Sequence, residues 1–493
     1  MYHRSMSHTA VASPWLDGRP GLAAQAAVWQ TTLPAVRRRV ETDAAALATP
    51  RLWTDTIGSL ASTSWRIAGA AAAPDAPLVL MGAAASAVGL PVAPPDASRG
   101  TIDRAERLVR AGGPAYIKLG QFIASGRGLL PDEWVDAFAW CRDQAPPLRP
   151  GVAERVIAAE LGPDCQLAEI DPEPIAAGSI GQAHRGVLRD GTEVVVKVRR
   201  PRLRRRLRAD IETMALAGAL AERLHPAART ANLSGFVELF AHLTLEELDF
   251  RLEAQNLVDC ALAFEQAGLD YVRVPRPIPG LVTERVLVME YMDGVSYAHA
   301  PAVYGTELDG ERLVELAIRG VLESTLVHGL FHGDLHAGNV LVDADANFAL
   351  VDFGICGRLD VAQRSGLVAF LAAFATGDAA GQIAAMARFG AIPPEADLAV
   401  LTAALQEQAD RLEQRADGAV TFDRLGDTLG RVLRVLAAGG FRMPKELVLF
   451  FKNLLYLSGF TAGMAPDADI FRHVETILGE LWEKHPEVLA AAA

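Results

Sequence analysis

Two short segments carry residue types that can do chemistry together. His332-Gly333-Asp334-Leu335-His336-Ala337-Gly338-Asn339 is followed, after an apolar run, by Asp352-Phe353-Gly354. An Asp, an Asn five residues on and a second Asp opening Asp-Phe-Gly form the spacing that sets a base beside a hydroxyl and two oxygen ligands on Mg²⁺ during phosphoryl transfer. Mg²⁺ takes hard oxygen donors of this kind. Asp334 is therefore the candidate base or water-orienting group, and Asn339 and Asp352 are candidate metal ligands. Between them, Val340-Leu341-Val342 and Ala349-Leu350-Val351 read as a hairpin that would bring the two halves together.

Such a pair needs other elements to hold the phosphates. Asp190-Gly191 marks a hairpin turn, and Glu193-Val194-Val195-Val196-Lys197-Val198 reads as a strand on a mostly buried sheet. An unpaired ammonium there is costly, so Lys197 should have a partner. Kinases supply one as a glutamate on a following helix. The stretch Glu246 to Asn256 reads as one such helix, with Asp249 and Glu253 on one face and Glu247 about 100° round. Upstream, Ala176-Ala177-Gly178-Ser179-Ile180-Gly181-Gln182 stands where a phosphate loop would. It is neither Gly-x-Gly-x-x-Gly nor a Walker loop, yet Gly178 and Gly181 allow close backbone approach and Ser179 adds a hydroxyl donor. Val286 to Met289 reads as a buried strand running into an inter-lobe hinge, where backbone groups of Glu290 and Met292 would read an adenine edge, or else as a plain core strand.

Composition narrows the function. The 493 residues can bury a large core without disulfides. Four separated cysteines, Cys141, Cys165, Cys260 and Cys356, read as free buried thiols. A net charge of −13 argues against a nucleic-acid binder. The dense run Arg199, Arg200, Arg202, Arg204, Arg205, Arg206 and Arg208 reads as a solvated helix face, with an anionic lipid or phosphate surface as the alternative. The N-terminus lacks signal-peptide order, and Leu78 to Leu90 is too short to span a bilayer, which takes about 20 residues. Residues 1–99 read as Ala/Arg-rich helices with linkers and no motif. Beyond Asp352 the chain reads helical, with a helix starting soon after Asp360. No Ala-Pro-Glu follows, and Gly333 stands where His-Arg-Asp has Arg, so control by activation-loop phosphorylation is not expected.

Lysine is scarce: Lys118, Lys197, Lys445, Lys452 and Lys484 are the only ones. Where a chain rich in Arg keeps Lys, a compact ammonium has a use. Tyr116, Leu119, Phe122 and Ile123 recur at helical spacing, which sets Lys118 and Gln121 on another face of the same helix. Lys452 is far in sequence from every motif.

From about Gly112 to Asp469 the chain resembles the AarF/UbiB family of atypical kinase-like proteins, linked to isoprenoid quinone biosynthesis. The marks are Lys118-x-Gly120-Gln121 with Leu130-Pro131-Asp132-Glu133 and Gln144-Ala145-Pro146-Pro147, the Ala-rich loop at Ala176 to Gln182, and Glu247-x-Asp249 ahead of Glu253. The resemblance implies an α+β, bilobal protein-kinase-like fold. Its parts would be an N-terminal region (1–99), a helical extension packed over the active site (100–165), a strand-rich lobe (166–292) and a helical lobe (293–493). It also implies that Lys118 meets Glu247 and Asp249 inside the pocket in a regulatory role shared with Gln121. Nucleotide would bind as ATP with Mg²⁺, held by Lys197 and Glu253. ATPase-type activity would follow, with lipid or quinone intermediates as partners, in a cytoplasmic protein peripheral to the membrane. Two departures stand out: Gly178 where the family often has Ala, and Leu335 and Ala337 where Asp-Pro-His-Pro-Gly-Asn has prolines. The Asp334 loop also looks like that of aminoglycoside and choline kinases, and a nucleotide-gated scaffold is a third reading.

Overall fold

The computed structural model describes residues 13–49, 76–86 and 98–486, apart from 127–129, 143–144, 164, 225–231, 306–307, 390–396, most of 414–443, 467 and 469. Gln144 of the Gln-Ala-Pro-Pro loop and residues 87–90 of the uncharged stretch lie outside the described residues.

Strand alternation builds the first sheet. β1 (Leu167–Ala177), β2 (Gly181–Leu188) and β3 (Glu193–Arg199) are followed by β4 (Val272–Arg273), β5 (Pro277–Val282) and β6 (Val286–Glu290). Five of them pair in the order β1-β2-β3-β6-β5. Along β3, Val194, Val196 and Val198 are fully buried on one face, against Leu188, Ile278, Val286 and Val288. The period of two turns Val195 and Lys197 to the other face, toward the main core and the cleft. Lys197 sits opposite Ala183 on β2 and Leu287 on β6, so its register is fixed from both sides. Gly181 opens β2 where a Cβ would lie 2.4 Å from the Val198 carbonyl oxygen, and only a residue without one fits.

The second half is mostly helical, with short strands holding the loops. β9 (Val340–Val342) pairs with β10 (Phe348–Leu350) as the expected hairpin, flanked by β7 (Val295–Ser296) and β4. Asn339 precedes β9 and Asp352 follows β10, and the Val351 N–H donates to the Asn339 carbonyl at 3.1 Å. β8 (Leu330–His332) pairs with β11 (Cys356–Arg358), which brings the segment before Asp334 beside the one after Asp352. A helix at Val361–Ala375 starts at once, capped by Asp360 and Gln363 in a capping box, so the chain after Asp-Phe-Gly is short as expected.

Helices cover these sheets. α1 (Leu22–Ala48) buries Leu22, Ala26, Trp29, Leu33, Val40, Ala44 and Leu47, a stripe at steps of three and four in which Arg37 takes one place. It packs on α3 (Leu233–Glu246) and α4 (Phe250–Ala267), while α2 (Pro114–Ala124) carries Lys118 and Gln121. Arg37 fits the stripe because its guanidinium donates to Glu246 Oε1 and Asn256 Oδ1, both at 2.7 Å. The uncharged stretch near residue 80 is a packed helix, Ala76–Ser86, with Leu80, Met81 and Ala83 to Ala85 buried. α5 (Lys445–Met464) is long and apolar enough to cross a membrane, yet Leu447, Phe450, Phe451 and Asn453 are buried in the core.

Three sequence expectations change. Glu246 to Asn256 is not one helix: α3 ends at Glu246, and Asp249 caps α4 by accepting the Arg251 N–H at 3.2 Å. The arginine run is a solvated face only in part: Arg202, Arg205 and Arg206 are exposed, while Arg199, Arg200 and Arg204 are drawn onto acceptors. Arg199 is buried against the Leu248 carbonyl and Glu284, Arg204 also bonds Glu284, and Arg200 donates to the carbonyls of Gly178 (2.9 Å) and Pro146 (2.7 Å). Cys141, Cys260 and Cys356 are buried free thiols, whereas Cys165 is only half-buried.

Candidate active site

A cleft of about 470 Å³ opens between the first sheet, α2 and the Asp334 loop. Ala176, Gly178, Ser179, Ile180, Gly181 and Gln182 line it from the loop, Lys197 from β3, Glu253 from α4, and Asp334, Asn339 and Asp352 from the helical half. Lys118, Gln121 and Glu247 line it as well. Ala177, Asp249, Glu290 and Met292 do not.

Lys197 Nζ lies 2.5 Å from Glu253 Oε1 and 3.2 Å from Asp352 Oδ2. Burial works against the ammonium, but Asp352 and Glu253 together hold its pKa above the usual lysine range. Burial pushes the Glu253 carboxyl up to about 7, with Lys197 opposing. Asn339 donates its amide N–H to the Asp334 carbonyl at 2.9 Å, and its side-chain oxygen has no partner among the described residues. Asp352 accepts the Gly354 N–H on Oδ1 at 3.0 Å.

The loop is held from outside. Gly178 N–H donates to the Gly181 carbonyl at 2.9 Å, closing a tight turn, and Arg200 grips the Gly178 carbonyl. The Ser179 hydroxyl donates to Gln121 Oε1 at 3.3 Å, and Gln121 donates to the Cys141 carbonyl at 2.9 Å. Ser179, expected as a phosphate donor, is thus engaged with the extension helix. Gln182 is spent on the Leu148 N–H (2.7 Å) and on His184 (2.6 Å).

Lys118 is buried and ion-paired with Glu247 inside the cleft. Burial raises the Glu247 carboxyl against the pull of Lys118. Asp249 takes no part in that contact. The turn between α3 and α4 directs it to the Arg251 guanidinium, at 2.8 and 2.6 Å, so the expected three-residue cluster reduces to a pair. Glu290 ends β6 with its carboxylate on Arg276, at 3.1 Å from the backbone N–H and 3.3 Å from the guanidinium.

Asp334 has a partner that the motifs do not announce. Lys452 Nζ donates to its Oδ1 at 2.8 Å, and the Tyr456 hydroxyl lies 3.1 Å from the same oxygen. Lys452, remote in sequence, is therefore next to the candidate base. Burial alone would raise the Asp334 carboxyl, but Lys452 and His336 outweigh it and hold the group well below the usual carboxylate range. Arg142, also unforeseen, lines the cleft. Lysine scarcity was the available signal: Lys118, Lys197, Lys445 and Lys452 all end on carboxylates, Lys445 at 2.5 Å from Glu246.

Residues 141–386 match the ABC1 atypical kinase-like domain. An aarF domain-containing protein kinase of Arabidopsis thaliana, chloroplastic and uncharacterised, is 30% identical over 390 residues, covering 74% of this chain and 72% of that protein. A Marinobacter nauticus protein named "Probable protein kinase UbiB" is 30% identical over 403 residues, covering 79% and 71%. The chain belongs to the AarF/UbiB family. An uncharacterised Mycobacterium tuberculosis protein is similar at 37% identity over 366 residues, 72% of each chain. The α+β kinase-like fold expected from the sequence is the fold of this AarF/UbiB protein. The matched kinase-like domain stops at residue 386, ahead of α5 and its contacts with Asp334.

Proposed function

We propose that the cleft takes ATP with Mg²⁺ and that the protein is an atypical phosphotransferase or ATPase serving isoprenoid quinone or other lipid metabolism at a membrane surface. The observation that carries this reading is the convergence of Glu253 and Asp352 on Lys197, each within hydrogen-bond reach of its ammonium, in the cleft that Asp334 and Asn339 also line. Lys197 would hold phosphates, and backbone N–H groups of Ser179 and Ile180 at the tip of the turn would meet them.

The donor set suits Mg²⁺ arriving with its nucleotide. Among the described residues no group of three His, Cys, Asp or Glu side chains could hold a metal alone. Mg²⁺ commonly takes one or two protein oxygens and completes its shell with phosphates and water. Asn339 and Asp352 would supply those oxygens, and the ion would neutralise charge on the phosphates. Asp334 would orient the acceptor hydroxyl or water. Purified protein assayed for ADP release, with and without anionic liposomes and a panel of polyprenyl phenols beside general kinase substrates, tests the reading. Stimulation by the lipid arms supports it, and release confined to an aminoglycoside or choline acceptor would favour the small-molecule kinase reading.

The buried Lys118–Glu247 pair favours the family reading over that alternative, because it fills acceptor space with a charge pair. Removing Lys118 leaves Glu247 uncompensated beside the phosphates. Lys118→Ala is expected to change the Kd for Mg-nucleotide at least about fivefold, or about 1 kcal/mol. An ATP and ADP titration measures it, with the exposed Thr42→Ala, away from the cleft, as a control. Wild-type affinities for both nucleotides in Lys118→Ala would contradict a role for the Lys118–Glu247 pair in nucleotide handling.

A further inference from the structure

Helix α5 presents three side chains to the Asp334 loop. Lys452 and Tyr456, four residues apart on one face, both engage Asp334 Oδ1. Asn453 is fully buried and brackets the loop on both sides of Asp334: its amide N–H donates to the His332 carbonyl, and its Oδ1 lies 3.5 Å from the Leu335 N–H. Lys452, Asn453 and Tyr456 thus grip the loop by backbone and carboxylate together.

The proton count orients the tyrosine. The Ser125 hydroxyl spends its proton on the Gln121 carbonyl at 2.8 Å, so its oxygen, 2.5 Å from the Tyr456 oxygen, accepts from the Tyr456 hydroxyl, whose single proton Asp334 Oδ1 shares at 3.1 Å. Ser125 is the C-cap of α2, the helix that carries Lys118 and Gln121. A chain of contacts therefore runs from the helix over the cleft, through Ser125 and Tyr456, to the candidate base.

The other carboxylate oxygen is left open. Oδ2 lies 3.9 Å from His336 Nε2. The His336 Nδ1 accepts the Gly338 N–H at 3.0 Å, which assigns the ring proton to Nε2. Asp334 and His336 line the cleft, whereas Lys452 and Tyr456 are not among its lining residues and come from behind the loop.

We propose that α5 is a built-in clamp on the base: Lys452, Asn453 and Tyr456 are positioning residues that occupy Asp334 Oδ1 and the loop backbone, leave Oδ2 for the acceptor, and tie the base to the extension helix through Ser125. The inference rests on the phosphoryl-transfer reading. It explains why a lysine is kept at position 452: a compact ammonium reaches one oxygen without the two-point grip of a guanidinium fork.

The test uses the full-length chain, with steady-state ADP release from Mg-ATP and calorimetric Kd for Mg-ADP. Lys452→Met is expected to lower kcat by about tenfold or more while the Kd stays within about twofold, the signature of an interaction that matters in turnover and not in binding. Tyr456→Phe and Ser125→Ala are each expected to lower kcat by about three- to tenfold, and their double variant to fall no further than the worse single one, since both break one chain of contacts. Tyr456→Phe removes a single hydroxyl and decides the matter if Lys452→Met does not fold. Unchanged kcat in folded Lys452→Met and Tyr456→Phe overturns the clamp while leaving the functional reading in place, as do fully additive losses in the Ser125/Tyr456 cycle. Absence of both Mg-ADP binding and ADP release in the wild type overturns the reading and the clamp with it.

Discussion

Replacing Asp334 by Asn is expected to reduce ADP release by roughly 10²-fold or more while leaving Mg-nucleotide affinity nearly intact. The substitution keeps the shape and can keep the Lys452 and Tyr456 contacts through its oxygen, but it removes the basic oxygen that would meet an acceptor. Asp334 sits in the cleft beside His336, and its carbonyl, rather than its carboxylate, takes the Asn339 amide. Carboxylate loss should therefore leave Asn339 where it is. Equal loss of binding and turnover would make Asp334 a metal ligand instead, and a wild-type rate would favour the scaffold reading.

Asp352→Asn should have an equally large effect on a different observable. A ligand that binds only the native state stabilises it by about 2.7 kcal/mol at a hundredfold excess over Kd, and this increment is what a thermal shift with Mg-ATP reads. Asp352 couples two functions, as a hard oxygen for Mg²⁺ and as the second carboxylate on Lys197 at 3.2 Å. Asn at this position keeps one oxygen but loses the charge that draws a divalent cation. The Mg-dependent part of the ATP shift is expected to disappear, while Lys197 keeps Glu253 and the unliganded protein stays folded. An undiminished Mg-dependent shift would remove Asp352 from the metal assignment.

Much of the site was legible because its parts are close in sequence. The Asp334 to Asn339 loop and Asp352 flank a single hairpin, and alternation along β3 was enough to turn Lys197 toward a buried partner. The cost of leaving that ammonium unpaired called for a carboxylate, and the family resemblance singled out Glu253. The break between α3 and α4 was harder, since Glu246-Glu247-Leu248-Asp249 reads as continuous helix. Its signal was an Asp just ahead of an apolar-periodic run, the ordinary mark of an N-cap. Once the chain turns there, Asp249 is spent on capping and on Arg251, and only Glu247 can reach Lys118.

What could not be read were contacts between elements far apart in sequence. Lys452 and Asp334 are separated by 118 residues and share no motif. Arg37 stands 209 residues before Glu246, in an Ala-rich helix with little contrast between its faces. The arginine run is exposed at Arg202, Arg205 and Arg206, but charge alone does not say which of its members meet carbonyls. Arg200 reaches the Gly178 carbonyl and Arg199 that of Leu248, so these two fasten the Gly178 turn and the helix break to the sheet. Low lysine content was the one compositional clue that pointed at long-range partners, and it marked Lys452 and Lys445 as clearly as Lys118.

The central claim is that this cleft holds a magnesium nucleotide, and calorimetric titration of ATP into the purified wild-type chain, with Mg²⁺ and with EDTA, tests it most directly. The expected result is one saturable site per chain whose affinity falls by at least about tenfold, or 1.4 kcal/mol, when the metal is withheld. Absence of saturable heat in both titrations, or the same affinity with and without Mg²⁺, would contradict it.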